Sequence, residues 1–204
     1  MDLITLNSPL SVAAEAYRSL RTNLFFSGLE QPFKTLLLVA PSSIEHKGIA
    51  LANLAVVLAQ ADRRVIAVDA DFRSPELHTI FGLANDQGLS SALASDRAAI
   101  NLQSTSVTNL SILTSGPAPA VPSDALYGKR MAAVSDALKQ QAELILFNCP
   151  PTDQASDAGI LATICDVAMI VVCNGRTRRE AAQAARELMT RAHTRLLGAM
   201  LLND

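Results

Sequence analysis

The chain has 204 residues, of which 50% are hydrophobic and 18% are charged, and its formal net charge is −2. This composition excludes a disordered chain, and the near-neutral charge gives no indication of nucleic-acid binding. No apolar run reaches the roughly 18 residues of a membrane span, and "MDLITLNSPL" lacks the regions of a signal peptide. We therefore expect a cytoplasmic protein.

Six nearly continuous apolar runs are predicted to be strands, because such runs are typical of strands covered on both faces. They span residues 35–40, 64–70, 109–115, 143–149, 166–173 and 195–202. Helical patterns are predicted over about 12–27, 48–61, 124–141 and 178–193. Ser123 and Thr177 are predicted to cap the last two helices. The alternation predicts a doubly wound, mostly parallel α/β sheet with helices on both faces.

Three cysteines, Cys149, Cys165 and Cys173, lie in apolar segments. An odd number of cysteines in such surroundings favours buried free thiols over a metal or redox site.

Polar residues follow the predicted strands at the edge where sheets of this type bind ligands. Asp69 and Asp71 follow the second strand, and Asn148 ends a later one. Lys47 lies between the first strand and its helix, where a phosphate-binding loop (P-loop) would lie. However, residues 41–47 contain no glycine. A P-loop needs unusual backbone dihedrals and close approach to phosphate, so this segment is predicted to be shaped differently and to leave no room for a β-phosphate.

Several segments occur in an order that resembles a known family. They include "EAYRSLRTNLFFS", "VDADFRSPELHTIFGL" and "LILFNCPPTDQASDA". Together they resemble the cytoplasmic ATPase domain of bacterial tyrosine kinases (BY-kinases), which act in exopolysaccharide and capsule assembly and belong to the Min/Par-type branch of P-loop ATPases. The resemblance implies one P-loop NTPase-like domain over residues 1–204, with an N-terminal interaction segment over 1–30 and an α/β core over 31–204.

The family's phosphate loop reads approximately P-G-E-G-K-S/T-T, and this chain departs from it. Both loop glycines are missing, since β-branched Ile44 and bulky His46 stand in the loop. Gly48 replaces the hydroxyl residue that would bind Mg²⁺. Asn148 replaces the Walker B aspartate and brings no charge to a magnesium shell.

The resemblance implies roles for the residues that remain. Asp69 and Asp71 match the Walker A′ positions, which serve catalysis and bind Mg²⁺. The nucleotide-binding positions are Lys47, Gly48, Asn148 and Asn203. From the residues alone, Lys47 has the alternative interpretation of a solvated lysine at a helix start. Asp69 and Asp71 have the alternative of strand-end carboxylates that cap turns and pair with Arg73 or Lys47.

Glu15, Arg18 and Arg21 form an E-x-x-R-x-x-R motif on one predicted helix face. The spacing predicts a Glu15–Arg18 pair, which on its own is a surface salt bridge of small energetic effect. In the resembled family this motif makes contacts between subunits of a ring, so the three residues are candidates for an interface.

Three hypotheses about function remain. The first is a pseudoenzyme without a cofactor that binds partners in polysaccharide assembly: copies of itself, an active BY-kinase paralogue, or a membrane polysaccharide co-polymerase that recruits it to the inner face of the membrane. The second is an ATP- and Mg²⁺-binding tyrosine autokinase or ATPase with a remodelled loop. The third is a Min/Par-type partitioning switch, which is disfavoured because Ser42 stands nearest to that group's additional loop lysine. We expect no nucleic-acid partner.

Overall fold

Seven strands form one sheet in the computed structural model, which describes residues 3–43, 46–94 and 99–203. They are β1 (Thr35–Val39), β2 (Val65–Asp69), β3 (Gln103–Ser104), β4 (Leu110–Leu113), β5 (Leu144–Asn148), β6 (Val167–Cys173) and β7 (Arg195–Leu202). Their order across the sheet is β3-β4-β2-β5-β1-β6-β7, and only the β3–β4 pairing is antiparallel. The predicted mostly parallel, doubly wound sheet is therefore confirmed.

Helices connect the strands and cover both faces of the sheet. They are α1 (Ile4–Asn7), α2 (Val12–Glu30), α3 (Lys47–Ala59), α4 (Leu77–Phe81), α5 (Leu89–Ala94), α6 (Pro122–Leu126), α7 (Lys129–Lys139), α8 (Asp157–Ala162) and α9 (Arg179–Arg191). None of the helices in the described ranges is both long and apolar enough to cross a bilayer.

The continuous apolar runs arise because each central strand contributes to two hydrophobic layers. In β1, Leu36 and Leu38 pack into the layer that contains α3, and Leu37 and Val39 pack into the layer on the opposite face. Neighbouring side chains of a strand point to opposite faces, so a strand covered on both sides needs apolar residues at every position.

Helix α3 lies between the sheet and the N-terminal helices and is buried along almost its whole length. The backbone N–H and the hydroxyl of Thr5 both donate to Asn53 Oδ1, at 3.0 and 2.8 Å. Asn53 in turn donates to the Ile49 carbonyl. These bonds fix α1 to α3, and the buried surroundings hold the first turn of α3 in one place.

The structure differs from the predicted elements in two regions. The short edge strand β3 was not predicted, since two residues carry no periodicity. The helix predicted over 124–141 is two helices, because Gly128 has φ 113°, which interrupts helical geometry.

Both predicted helix caps are wrong. Ser123 lies within α6 and donates to Asp157 instead. The hydroxyl of Thr177 accepts a hydrogen bond from the Cys173 backbone N–H at 2.8 Å, and Arg178 is the residue that precedes α9. Ser123 thus bonds to a residue distant in sequence, whereas Thr177 bonds within the turn between β6 and α9.

The prediction for the cysteines is confirmed. Cys149, Cys165 and Cys173 are buried and take part in no disulfide bond, and burial raises the pKa of Cys149 to about 12.

Candidate functional site

The structure brings Lys47, Asp69 and Asn148 together at the carboxyl-terminal edge of the sheet. Strand β5 lies between β1 and β2, and Asn148 at its end is in register with Leu38 of β1 and with Asp69 of β2. Lys47 begins α3, the helix that follows β1. Parallel strands end at the same edge, so three segments that are distant in sequence meet there.

These three side chains form a buried chain of hydrogen bonds. The Lys47 ammonium donates to Asn148 Oδ1, and Asn148 Nδ2 donates to Asp69 Oδ1 at 2.9 Å. The other oxygen of Asp69 accepts the backbone N–H groups of Glu76 and Leu77, both at 2.9 Å. Asp69 therefore fixes the start of α4, and Asn148 links it to the lysine.

The alternative interpretation of Lys47 as a solvated lysine is wrong, because its exposed fraction is 7%. A buried ammonium needs hydrogen-bond acceptors. Asn148 supplies one with its carbonyl oxygen, and as a neutral group it leaves the charge of the lysine uncancelled at that contact.

Asp71 stabilises the turn that follows β2. Its Oδ1 accepts the backbone N–H groups of Arg73 and Ser74, at 3.2 and 2.9 Å. Burial raises the pKa of Asp71; Lys47 lowers it, and the charge of Asp69 raises it further. The interpretation of both aspartates as turn-capping carboxylates describes these contacts, whereas the suggested pairing with Arg73 is replaced by a contact of Arg73 with Asp157.

The carboxylate of Glu76 lies directly against Gly48. A Cβ atom added to Gly48 would stand 1.9 Å from Glu76 Oε2 and 3.0 Å from Glu76 Cδ, so no larger residue fits at position 48 beside this side chain. Burial raises the pKa of Glu76; Lys47 lowers it, and the charges of Asp69 and Asp71 raise it.

Sequence reasoning missed Glu76. Its only signal was its place in "DFRSPEL", seven residues beyond Asp69, because nothing in the local pattern shows that its side chain reaches the first turn of α3.

The residue before Lys47 has a backbone conformation that favours glycine. His46 has φ 43° and ψ 43°, the left-handed conformation that glycine would adopt most easily. Histidine is among the residues enriched in this region outside glycine. Ile44, the other residue on which the predicted change of shape rests, lies outside the described residues.

A small pocket opens at this edge of the sheet. It has a volume of about 90 Å³ and is lined by Lys47, Gly48, Asp71 and Glu76 among others. Pockets that hold small organic ligands typically measure about 300–1,000 Å³. The space that the described residues leave beside Lys47 is smaller than this range.

A second polar cluster lies beside the first. Asp157 is fully buried and accepts a hydrogen bond from Ser123, whose hydroxyl also accepts one from Arg73 at 3.2 Å. Arg73 Nε lies 3.7 Å from Asp157 Oδ2. Arg73 thus ties the turn after β2 to the start of α8.

The E-x-x-R-x-x-R residues have partners within the chain. Glu15 and Arg18 form the predicted pair, at 2.8 Å, and Arg18 also donates to the Pro9 carbonyl at 2.6 Å. Arg21 donates to the Val57 carbonyl of α3 at 3.0 Å. Arg21 therefore contributes to the packing of α2 on α3, whereas Arg18 stays near the surface with 27% of its side chain exposed.

Asn203 is exposed and lies just beyond β7. Strand β6 separates β7 from β1, so Asn203 is at the same edge of the sheet as Lys47 but two strands away from β1.

Comparison with known proteins assigns the family. The chain is 33% identical over 201 residues to the tyrosine-protein kinase YwqD of Bacillus subtilis, which covers 98% of this chain and 85% of YwqD. The chain belongs to the bacterial tyrosine-protein kinases. It is also 32% identical to the putative tyrosine-protein kinase CapB of Staphylococcus aureus, over 96% of this chain and 86% of CapB. No protein-family profile matches the chain.

Solved structures agree with the assignment to the BY-kinases. The kinase domain of the Escherichia coli tyrosine kinase ETK superposes with a TM-score of 0.94 at 26% identity, over all of this chain and 80% of that one. The cell-division ATPase MinD of Pyrococcus furiosus has a TM-score of 0.71 at 21% identity, which shows a shared P-loop NTPase-like fold.

We expect the ionisation of Glu76 to oppose folding. Its pKa is higher in the folded chain, so its contribution to stability is fully present below its unfolded pKa of about 4.3 and is lost as pH rises through the folded pKa. The melting temperature of Glu76→Gln relative to wild type should therefore rise between about pH 4 and pH 7. Thermal melts across this range measure it, with exposed Glu187→Gln as control. A difference that stays constant with pH would contradict the argument.

Proposed function

We propose that this chain is a non-hydrolysing BY-kinase homologue that acts by binding partner proteins in exopolysaccharide or capsule assembly. The observation that carries the proposal is the state of the phosphate-binding lysine. Lys47 is buried and bonded to Asn148, where the family has a Walker B aspartate. A lysine in this arrangement has its ammonium engaged by the protein itself.

The groups that would hold Mg²⁺ fit the ion poorly. Gly48 has no hydroxyl, Asn148 is neutral, and both oxygens of Asp69 accept hydrogen bonds from the protein. Within the described residues no cluster of three or more acidic, histidine or cysteine side chains could hold a metal ion. Phosphoryl transfer depends on the metal to neutralise charge on the phosphates, so these replacements together argue against hydrolysis.

A second function is favoured by one observation. His46 has the left-handed conformation of a loop glycine, and Lys47, Asp69 and Asp71 lie at the same edge of the sheet. These features suit an ATP- and Mg²⁺-dependent tyrosine autokinase or ATPase with a remodelled loop, and YwqD and ETK are named as tyrosine kinases. A partitioning function has no comparable support, since the likeness to MinD concerns the fold.

The proposed partners are copies of the chain, an active BY-kinase paralogue, or a membrane polysaccharide co-polymerase. The support is the exposed part of α2, where Glu15 and Arg18 form a surface pair. Arginine suits such contacts because its guanidinium group binds carboxylates in a bidentate manner. Such a partner would hold the domain at the inner face of the membrane.

We predict that wild-type protein releases no phosphate from ATP beyond the level of Lys47→Ala. The reason is the combined loss of the magnesium hydroxyl at Gly48 and of the Walker B carboxylate at Asn148. A phosphate-release assay with and without Mg²⁺ measures it, and YwqD is the positive control. A Mg²⁺-dependent turnover that disappears in Lys47→Ala would establish the second function instead.

We predict that Arg18→Glu abolishes association with the partner while the monomer stays folded. Arg18→Glu removes the exposed bond to the Pro9 carbonyl, and a Glu beside Glu15 repels it by about 0.2–0.5 kcal/mol, so the melting temperature should fall by a few degrees. Light scattering, alone and mixed with an active paralogue, gives the mass, and the wild-type contact should weaken with salt.

Arg21→Glu is the less specific variant, because it also removes the bond to the Val57 carbonyl and should lower the melting temperature further. Arg186→Glu on the exposed face of α9 is the matched control. If Arg18→Glu keeps the mass and the association of wild type, the motif has no role in assembly.

A further inference from the structure

The side chain of Glu76 runs along the backbone of Gly48 at the first turn of α3. A Cβ atom at position 48 would meet Oε2, Cδ and Cβ of Glu76 at 1.9, 3.0 and 3.1 Å. The Glu76 carboxylate can thus occupy this place because position 48 has no side chain. A serine or threonine at this position would collide with Glu76.

The backbone holds Glu76 in this place. Its N–H donates to Asp69 Oδ2 at 2.9 Å, and the neighbouring Leu77 N–H donates to the same oxygen. Its carbonyl accepts the Ile80 N–H at 2.9 Å, which begins α4. Because Asp69 is itself bonded to Asn148, the position of the Glu76 backbone follows from the buried hydrogen-bond chain.

The charges around the start of α3 are unfavourable for an anion. Asp69, Asp71 and Glu76 lie near the Lys47 ammonium, which is bonded to Asn148, and Glu76 also lies near the His46 ring. The first turn of a helix attracts anions through its free N–H groups and its dipole. Here the carboxylate of Glu76 lies in the space beside that turn. A phosphate that approached the turn would clash with the Glu76 side chain and be repelled by its negative charge.

We propose that Glu76 is an autoinhibitory residue whose carboxylate, seated against Gly48, excludes phosphate from the start of α3. This role of Glu76 rests on the proposed function and explains it further. The anion-binding elements, Lys47 and the N-terminus of α3, are retained, but the Glu76 side chain blocks access to them. Removing the side chain of Glu76 opens the site to phosphate without restoring hydrolysis, since Gly48 and Asn148 are unchanged.

The test compares wild type, Glu76→Gln and Glu76→Ala, with Glu187→Ala on the exposed face of α9 as matched control. Inorganic pyrophosphate and ADP are titrated with and without Mg²⁺ while thermal melting and calorimetric binding are recorded. We expect no stabilisation of wild type or control. Glu76→Ala should be stabilised by roughly 5–10 °C at a pyrophosphate concentration about 100-fold above its Kd.

Two further variants locate the effect. Glu76→Gln keeps the atoms and removes the charge, so it should bind pyrophosphate more weakly than Glu76→Ala and more tightly than wild type. It also serves as the test protein if Glu76→Ala does not fold, which circular dichroism shows. Lys47→Ala in the Glu76→Ala background should abolish the gain, because the ammonium is the cation beside the opened space.

Three results would overturn the proposal. One is a Glu76→Ala protein, or a Glu76→Gln protein if only that folds, that gains no affinity for pyrophosphate or ADP. Another is a wild-type protein that binds them equally well. The third is wild-type stabilisation by Mg²⁺ alone that Glu76→Ala loses, which would make Glu76 a metal ligand. Phosphate release from ATP, recorded in parallel, tests the proposed function separately. If wild-type protein binds pyrophosphate but does not hydrolyse ATP, only the role of Glu76 is refuted.

Discussion

A buried row of hydrogen bonds from Lys47 through Asn148 to Asp69 joins the ends of three neighbouring elements. A buried ammonium is costly unless it is bonded, and removing one member of such a network leaves the others without partners. Asn148 acts as donor and acceptor at once, so it links a cation to a carboxylate that do not touch directly. Asp69 in turn accepts hydrogen bonds from the backbone N–H groups of Glu76 and Leu77 and so fixes their position.

The position of Glu76 depends on this row of hydrogen bonds, and the negative charge beside the first turn of α3 depends on Glu76. Asp69 fixes the backbone from which the Glu76 side chain reaches Gly48. A P-loop of the usual kind leaves the first turn of its helix open to phosphate. In this chain the same turn faces a carboxylate, which repels the ligand that such turns bind in other proteins. Family membership and the proposed loss of the reaction are therefore compatible in one fold.

The sequence was sufficient for the six longer strands and for the convergence of Asp69 and Asn148, because buried parallel strands have continuous apolar runs and end at one edge. It was insufficient for features that contacts between distant segments determine. Lys47 is buried beside Asn148 and the turn after β2, and the reach of Glu76 depends on the backbone that Asp69 holds. The left-handed His46 and the break at Gly128 are single-residue conformations that periodicity does not report.

The most direct test of this account is a crystal structure grown with ATP and Mg²⁺. The account predicts no nucleotide density beside residues 46–48, with the Lys47 ammonium on Asn148 Oδ1 and the Glu76 carboxylate against Gly48. A triphosphate bound at the start of α3, with Lys47 turned to its phosphates and Glu76 displaced or bound to Mg²⁺, would contradict it.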